Sequence, residues 1–322
     1  MNIANYFQKN QMIAKVEKVQ KFKQKSLNLE DFDLAEFPDI ILNCDSLRSL
    51  ILQRNRIAEL PKEIGIHLRG LKHLSVQFNN FQSFPECLKE LTTLVSLNIS
   101  HNPIKHLRED IDCFKELKCL WCNSCGLKTI PKSLGNLSKL ETFGARNNEI
   151  KILPKTITQL KELSWLSLEG NCIEQLPNGF HKLSNLHHLN LNRNHFKQIP
   201  KVLVKLKSLR FLHLQRNNIK MLSCDTIMAL INVKICLINN PIENGQEFIE
   251  FKHLLLNPSD YQQNPTNEED MITDSSEDDS DWENSTDTLY LNYDSSSQSP
   301  QSDEDDEIVK NIPKCSRFFL CQ

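Results

Sequence analysis

Apolar residues in this chain come in short alternating bursts that return at a fixed interval. Aligned, the bursts read L-x-x-L-x-L-x-x-N-x-I-x-x-L-P, as in Leu47, Leu50, Leu52, Asn55, Ile57, Leu60 and Pro61. Leu163, Leu166, Leu168, Asn171, Ile173, Leu176 and Pro177 repeat the pattern. The polar marker recurs as Asn55, Asn79, Asn102, Asn148, Asn171, Asn194, Asn217 and Asn240, with Cys125 in the one gap. Apart from a single 24-residue step, successive markers lie 23 residues apart. The L-x-L burst has period two, which predicts a short strand with one buried face. One such unit cannot close its own apolar face, so the repetition predicts units stacked as a solenoid with parallel strands. A second apolar pair follows each strand, such as Leu134 and Leu137 or Ile157 and Leu160. Proline after the second anchor is expected at the start of a helical turn, where its missing N–H costs nothing.

Residues 27 to 244, about ten units, resemble the leucine-rich-repeat family in its 23-residue intracellular subtype, similar to the Ras-associated scaffold proteins. The resemblance implies an α/β solenoid with a parallel β-sheet on the concave face and short helical or irregular segments on the convex face. It also implies that the marker side chains turn inward and bond loop backbone groups, since buried polar groups must be paired. Phe32 at the first marker position and Asn232 at the opening of the last unit identify degenerate edge repeats. A solenoid must cover its ends. Residues 1 to 26 bring Ile3, Phe7, Met12, Ile13, Val16, Val19 and Phe22 among lysines, predicting an amphipathic capping helix. Residues 245 to 257 place Phe248, Phe251, Leu254 and Leu255 at helical spacing before Pro258, predicting a second cap.

Charge divides the chain further. Its formal net charge of −3 conceals a basic body and an acidic segment, because residues 258 to 307 carry seventeen Asp and Glu and no Lys or Arg. That composition predicts an acidic disordered tail. Ser275, Ser276, Ser280 and Ser302 precede acidic residues there and fit an acidophilic kinase. Residues 308 to 322 turn apolar again at Phe318, Phe319 and Leu320. No 18-residue apolar run and no cleavable leader pattern occurs, so no transmembrane segment is expected. Eleven scattered cysteines favour reduced thiols, hence a cytoplasmic chain with the nucleus as an alternative.

Read alone, Cys119, Cys122 and Cys125 resemble metal ligands. Register separates them: Cys119 falls at the third repeat position on the concave face, Cys122 at a core leucine position, and Cys125 at the marker. Cys315 and Cys321 have no nearby histidine and no second cysteine pair. His187 and His188 lack an in-phase carboxylate and nucleophile, and no glycine-rich phosphate loop occurs. No cofactor, metal or enzymatic activity is expected.

The register instead predicts a surface. Positions 3, 5, 7 and 8 of each unit project from the concave face, which exposes Trp121, Trp165 and Phe211 beside His188 and His213. Arg146 at position 7 and Arg193 and Arg216 at position 8 add forked donors suited to an acidic or phosphorylated protein segment. A protein-binding adaptor or scaffold in signal transduction is the leading expectation. Two alternatives stay open: nucleic-acid or anionic-lipid binding by the basic body, weakened by glutamates among the lysines, and substrate recognition in a ubiquitin ligase.

Overall fold

A computed structural model describes residues 3–242. The second predicted cap at 245–257, the acidic stretch with its four serines, and residues 308–322 lie outside the described residues. Helix α1 (Ile3–Phe22) precedes ten three-residue strands: β1 (Ser26–Asn28), β2 (Ser49–Ile51), β3 (His73–Ser75), β4 (Ser96–Asn98) and β5 (Cys119–Trp121). The series continues with β6 (Thr142–Gly144), β7 (Trp165–Ser167), β8 (His188–Asn190), β9 (Phe211–His213) and β10 (Lys234–Cys236). They form one parallel sheet in sequence order, each strand bonded to the next. Pairing is residue on residue without slippage, Leu50 on Leu74 and Leu166 on Leu189 among others, so equivalent positions form straight rows across the sheet.

The middle residue of every strand points into the core. Leu97, Leu120, Phe143, Leu166, Leu189 and Leu212 are all fully buried, and each such side chain contributes on the order of 2 kcal/mol when withdrawn from water. Behind the sheet run 3-10 segments and two short helices, α2 (Ile64–His67) and α3 (Cys224–Ala229). Phe81, Phe114, Phe180 and Phe196 fill the space between the sheet and these return segments. At the N-terminal edge, Met12, Val16 and Val19 of α1 join the same core, while Tyr6, Phe7 and Phe22 stand exposed. The apolar stripe of α1 is therefore narrower than the sequence pattern predicted.

Proline takes a slightly different place from the expected one. Pro38, Pro85, Pro131, Pro154 and Pro200 are extended N-caps, with φ between −62° and −74°, not first helical residues. The ring still fixes a suitable φ. Its carbonyl accepts the first 3-10 bond, as from Leu134 to Pro131 at 3.2 Å and Leu203 to Pro200 at 3.0 Å.

The marker amides tie adjacent units together. Asn148 is representative: its Nδ2 donates to Cys122 O and Arg146 O, while its Oδ1 accepts from Cys125 N and Leu127 N, all at 2.9–3.0 Å. Asn55, Asn79, Asn102, Asn171, Asn194, Asn217 and Asn240 make equivalent cross-unit bonds. Cys125 breaks the chain of amides because a thiol does not reproduce the carboxamide acceptor. Its Sγ donates to Ile99 O and Asn123 O, and the Ile104 N–H that would meet a marker oxygen bonds Asn102 O at 2.7 Å.

One residue before each marker, the backbone enters the left-handed region. Arg54, Phe78, His101, Ser124, Asn147, Arg193, Arg216 and Asn239 have φ of 51–59°, and Gly170 has φ 64°. A non-glycine residue there costs about 1 kcal/mol. The conformation turns the chain off the strand and lets that residue's N–H reach the next unit, as Arg193 N does to Gln215 O at 2.8 Å.

Candidate ligand-binding face

The sheet face divides into a polar half and an aromatic half. Across β2 to β4, buried Gln53, Gln77 and Asn98 form a side-chain ladder, with Gln77 Nε2 donating to Gln53 Oε1 at 2.7 Å and Asn98 Nδ2 donating to Gln77 Oε1 at 2.5 Å. These amides bond one another. From β5 to β9 the same face carries five rings in sequence. Trp121 lies 5.0 Å from Trp165 between ring centroids; Trp165 stacks on His188 at 5.6 Å and 11°; His188 meets His213 at 4.9 Å and Phe211 at 6.1 Å. Lys234 Nζ closes the strip 5.8 Å above the Phe211 ring.

Register explains the strip. Parallel strands lie about 4.8 Å apart, close to the spacing at which rings touch. Trp165, His188 and Phe211 occupy one row on consecutive strands and stack naturally. Trp121 starts from a different row and two strands away, so it must cross β6. Gly144 makes that crossing possible: a Cβ there would sit 2.3 Å from Trp121 Cε3 and 2.7 Å from Cζ3.

Packing corrects the expectation that these aromatics stand exposed. Trp165 is buried at 7%, Trp121 and Phe211 are half-buried, and Cys119 and Thr142 in the outward row are buried too. Neighbouring side chains on a narrow sheet shield one another, so an outward position is not automatically a wet one. The strip presents ring edges and partial faces. Burial pushes the His188 imidazole well below the usual histidine range, with His213 adding to the effect, and burial pushes His213 down to about 4. Both rings are neutral at neutral pH.

The arginines are corrected in part. Glu169, half-buried at position 7, accepts Asn190 Nδ2 at 2.9 Å and pairs with Arg146 Nη2 at 3.3 Å, with Arg193 Nε 3.9 Å away. Arg146 is thus committed within the face. Arg193 keeps nearly half its side chain exposed, and Arg216 on the adjacent unit is exposed. The repeat period carries the signal for Glu169, which lies 23 residues after Arg146 at the same position of the next unit. Phe78 and His101, stacked at 4.0 Å with Arg54 over Phe78 at 5.4 Å, form a smaller ring pair that the same period could have found.

The cysteine run separates in space. Cys122 Sγ donates to Gly144 O at 3.3 Å and Cys125 Sγ to Ile99 O at 3.4 Å, while Cys119 lies in the outward row. Among the described residues, no group of three or more His, Cys, Asp and Glu side chains is placed to hold a metal ion. No described helix is long and apolar enough to cross a membrane.

Comparison with known proteins gives the same architecture. Residues 45–104 match the family described as leucine rich repeat, and residues 102–233 match a leucine-rich repeat region. The chain is similar to an adenylate cyclase of Schizosaccharomyces pombe, 32% identical over 126 residues, covering 38% of this chain and 7% of that protein. This chain thus spans only a small fraction of that relative. Among solved structures it resembles a leucine-rich-repeat protein of Leptospira interrogans, with TM-score 0.58, 28% identity, and coverage of 68% of this chain and 62% of that one. An internalin of Listeria monocytogenes shares the fold at TM-score 0.61 and 23% identity, covering 71% of this chain and 66% of that one.

Proposed function

This chain belongs to the leucine-rich-repeat family, and we propose that it is a non-enzymatic adaptor whose sheet face holds a protein or peptide segment. Repeat solenoids use their extended concave surfaces for binding. The observation that carries the reading is the strip from Trp121 through Trp165 and His188 to Phe211 and His213, seated by Gly144. A polar ladder alone would satisfy a solvated sheet, as it does at Gln53, Gln77 and Asn98. Trp121, His188, Phe211 and His213, partly covered by one another and by buried Trp165 and partly open to one side, offer apolar area at little entropic cost, the usual character of binding hot spots.

The ligand in this reading is an extended segment with an apolar side chain on the strip and an acidic or phosphorylated group beside it. Arg193 and Arg216 project from consecutive left-handed turns and supply the cationic side. Arg146 serves indirectly, through Glu169, by fixing the charge pattern from below. The 23-residue period supports the intracellular scaffold subtype, and the scattered free cysteines support a reducing, cytoplasmic or nuclear setting. Signal transduction is the corresponding role.

Selection of a random peptide library against the immobilised full chain tests this function. Enriched sequences are expected to pair an aromatic or branched apolar residue with acids or phosphoserine. Phe211→Ala should weaken a selected peptide about tenfold or more, and Arg193→Glu with Arg216→Glu should remove the preference for acid. No enrichment, or enrichment indifferent to both variants, overturns the proposal.

A further inference from the structure

A second surface lies away from the ring strip. A pocket of ≈ 700 Å³ opens beside the turns that follow Asn194 and Asn217 and the approach to α3. Lys197, Lys201 and Lys220 stand on it, all exposed and none in an ion pair among the described residues. Met221, exposed at 75%, and half-buried Leu222 give it apolar surface, and Pro241 forms part of its wall. Three ammonium groups around exposed methionine match a ligand that is both acidic and apolar.

The chain carries such a ligand. Within its acidic stretch, Trp282 lies among Glu277, Asp278, Asp279, Asp281 and Glu283, and no Lys or Arg occurs between residues 258 and 307. The last described residue, Ile242, directly follows Pro241 of the pocket wall. About forty residues separate Ile242 from Trp282, and a chain of that length spans at most roughly 130–140 Å when fully extended. A connection of that length permits Trp282 to reach the wall that Ile242 adjoins, and the covalent link raises its effective concentration there.

We propose that the acidic stretch around Trp282 docks into this pocket of its own chain, its indole against Met221 and Leu222 and its carboxylates among Lys197, Lys201 and Lys220. The contact is independent of the ring strip and of any ligand there. Phosphate on Ser275, Ser276 or Ser280 adds acceptor oxygens and negative charge on the same side and tightens the contact. The tail is thereby parked on the flank, leaving the sheet face open.

The test uses the full chain labelled with 5-fluorotryptophan, which gives one fluorine resonance for each of its three tryptophans. Single Trp→Phe replacements assign them. The Trp282 signal is expected to differ from that of a free peptide spanning residues 274–287. In the Lys197→Glu, Lys201→Glu, Lys220→Glu variant it should move to the free-peptide position, the undocked-to-docked ratio rising at least tenfold. Unmoved Trp121 and Trp165 signals would report an intact fold. Met221→Ser should produce the same direction of change without altering charge. The proposal fails if the wild-type Trp282 signal already coincides with the free peptide, or if both variants leave it at its wild-type position. It also fails if the displacement grows with protein concentration, which assigns the pocket to a second copy, or if Arg193→Glu with Arg216→Glu releases the indole instead.

Discussion

Gly144 shows how a residue without a side chain decides where large ones go. Its backbone lies under the Trp121 ring, so any Cβ displaces the indole from Trp165. Gly144→Ala should cost roughly 1–3 kcal/mol by overpacking, measured as a lowered urea midpoint. In a Trp121→Ala background the same substitution should cost much less, because the clash partner is gone. Equal costs in both backgrounds would remove the seat from the explanation. His213 makes a separate prediction. Its folded value of about 4 lies below the ordinary 6.5, so between those pH values the unfolded chain binds the extra proton. Stability from this group is therefore full above pH 6.5 and is lost as pH falls toward 4, by on the order of 2 kcal/mol. Replacing it with Gln should flatten that part of the profile when urea midpoints at pH 7.5 and pH 5 are compared with wild type; an unchanged slope would count against the burial argument.

At the level of the repeat, the joints are unequal. Asn148 satisfies two donors and two acceptors, three of the four across a unit boundary, whereas Cys125 donates through sulfur and leaves Ile104 to find a partner in its own turn. An unpaired buried backbone group costs about 1–3 kcal/mol. Asn148→Ala is expected to lower stability clearly more than Cys125→Ala, read from denaturant unfolding of the two variants side by side. A larger loss at Cys125 would show that its packing outweighs the amide network. Exposed ion pairs between units, such as Lys139 with Glu116 at 2.6 Å, contribute little by comparison.

For the whole molecule, the repeat made the architecture legible because every unit reports the same register. Leu97, Leu120 and Leu166 had to share a core, and the markers had to share a row. The candidate site was legible only as a set of positions. Whether Trp165 is wet depends on His188 one strand away, whether Trp121 reaches it depends on Gly144, and whether Arg146 is available depends on Glu169. These neighbours are about 23 residues apart in sequence, and their side-chain packing is set by rotamer and bulk, which a linear pattern does not encode. The flank pocket was less legible still, since it arises where the regular return segment gives way to α3.

The left-handed residue before each marker has a consequence for how such a molecule can change. Its backbone angle is dictated by the turn, yet the position holds arginine, phenylalanine, histidine, serine, asparagine and glycine in different units. Mutation there alters what the surface offers while the core leucines and marker amides keep their partners. Single substitutions there can therefore change what a ligand meets with modest effect on folding, provided the new side chain tolerates the left-handed backbone that every turn imposes.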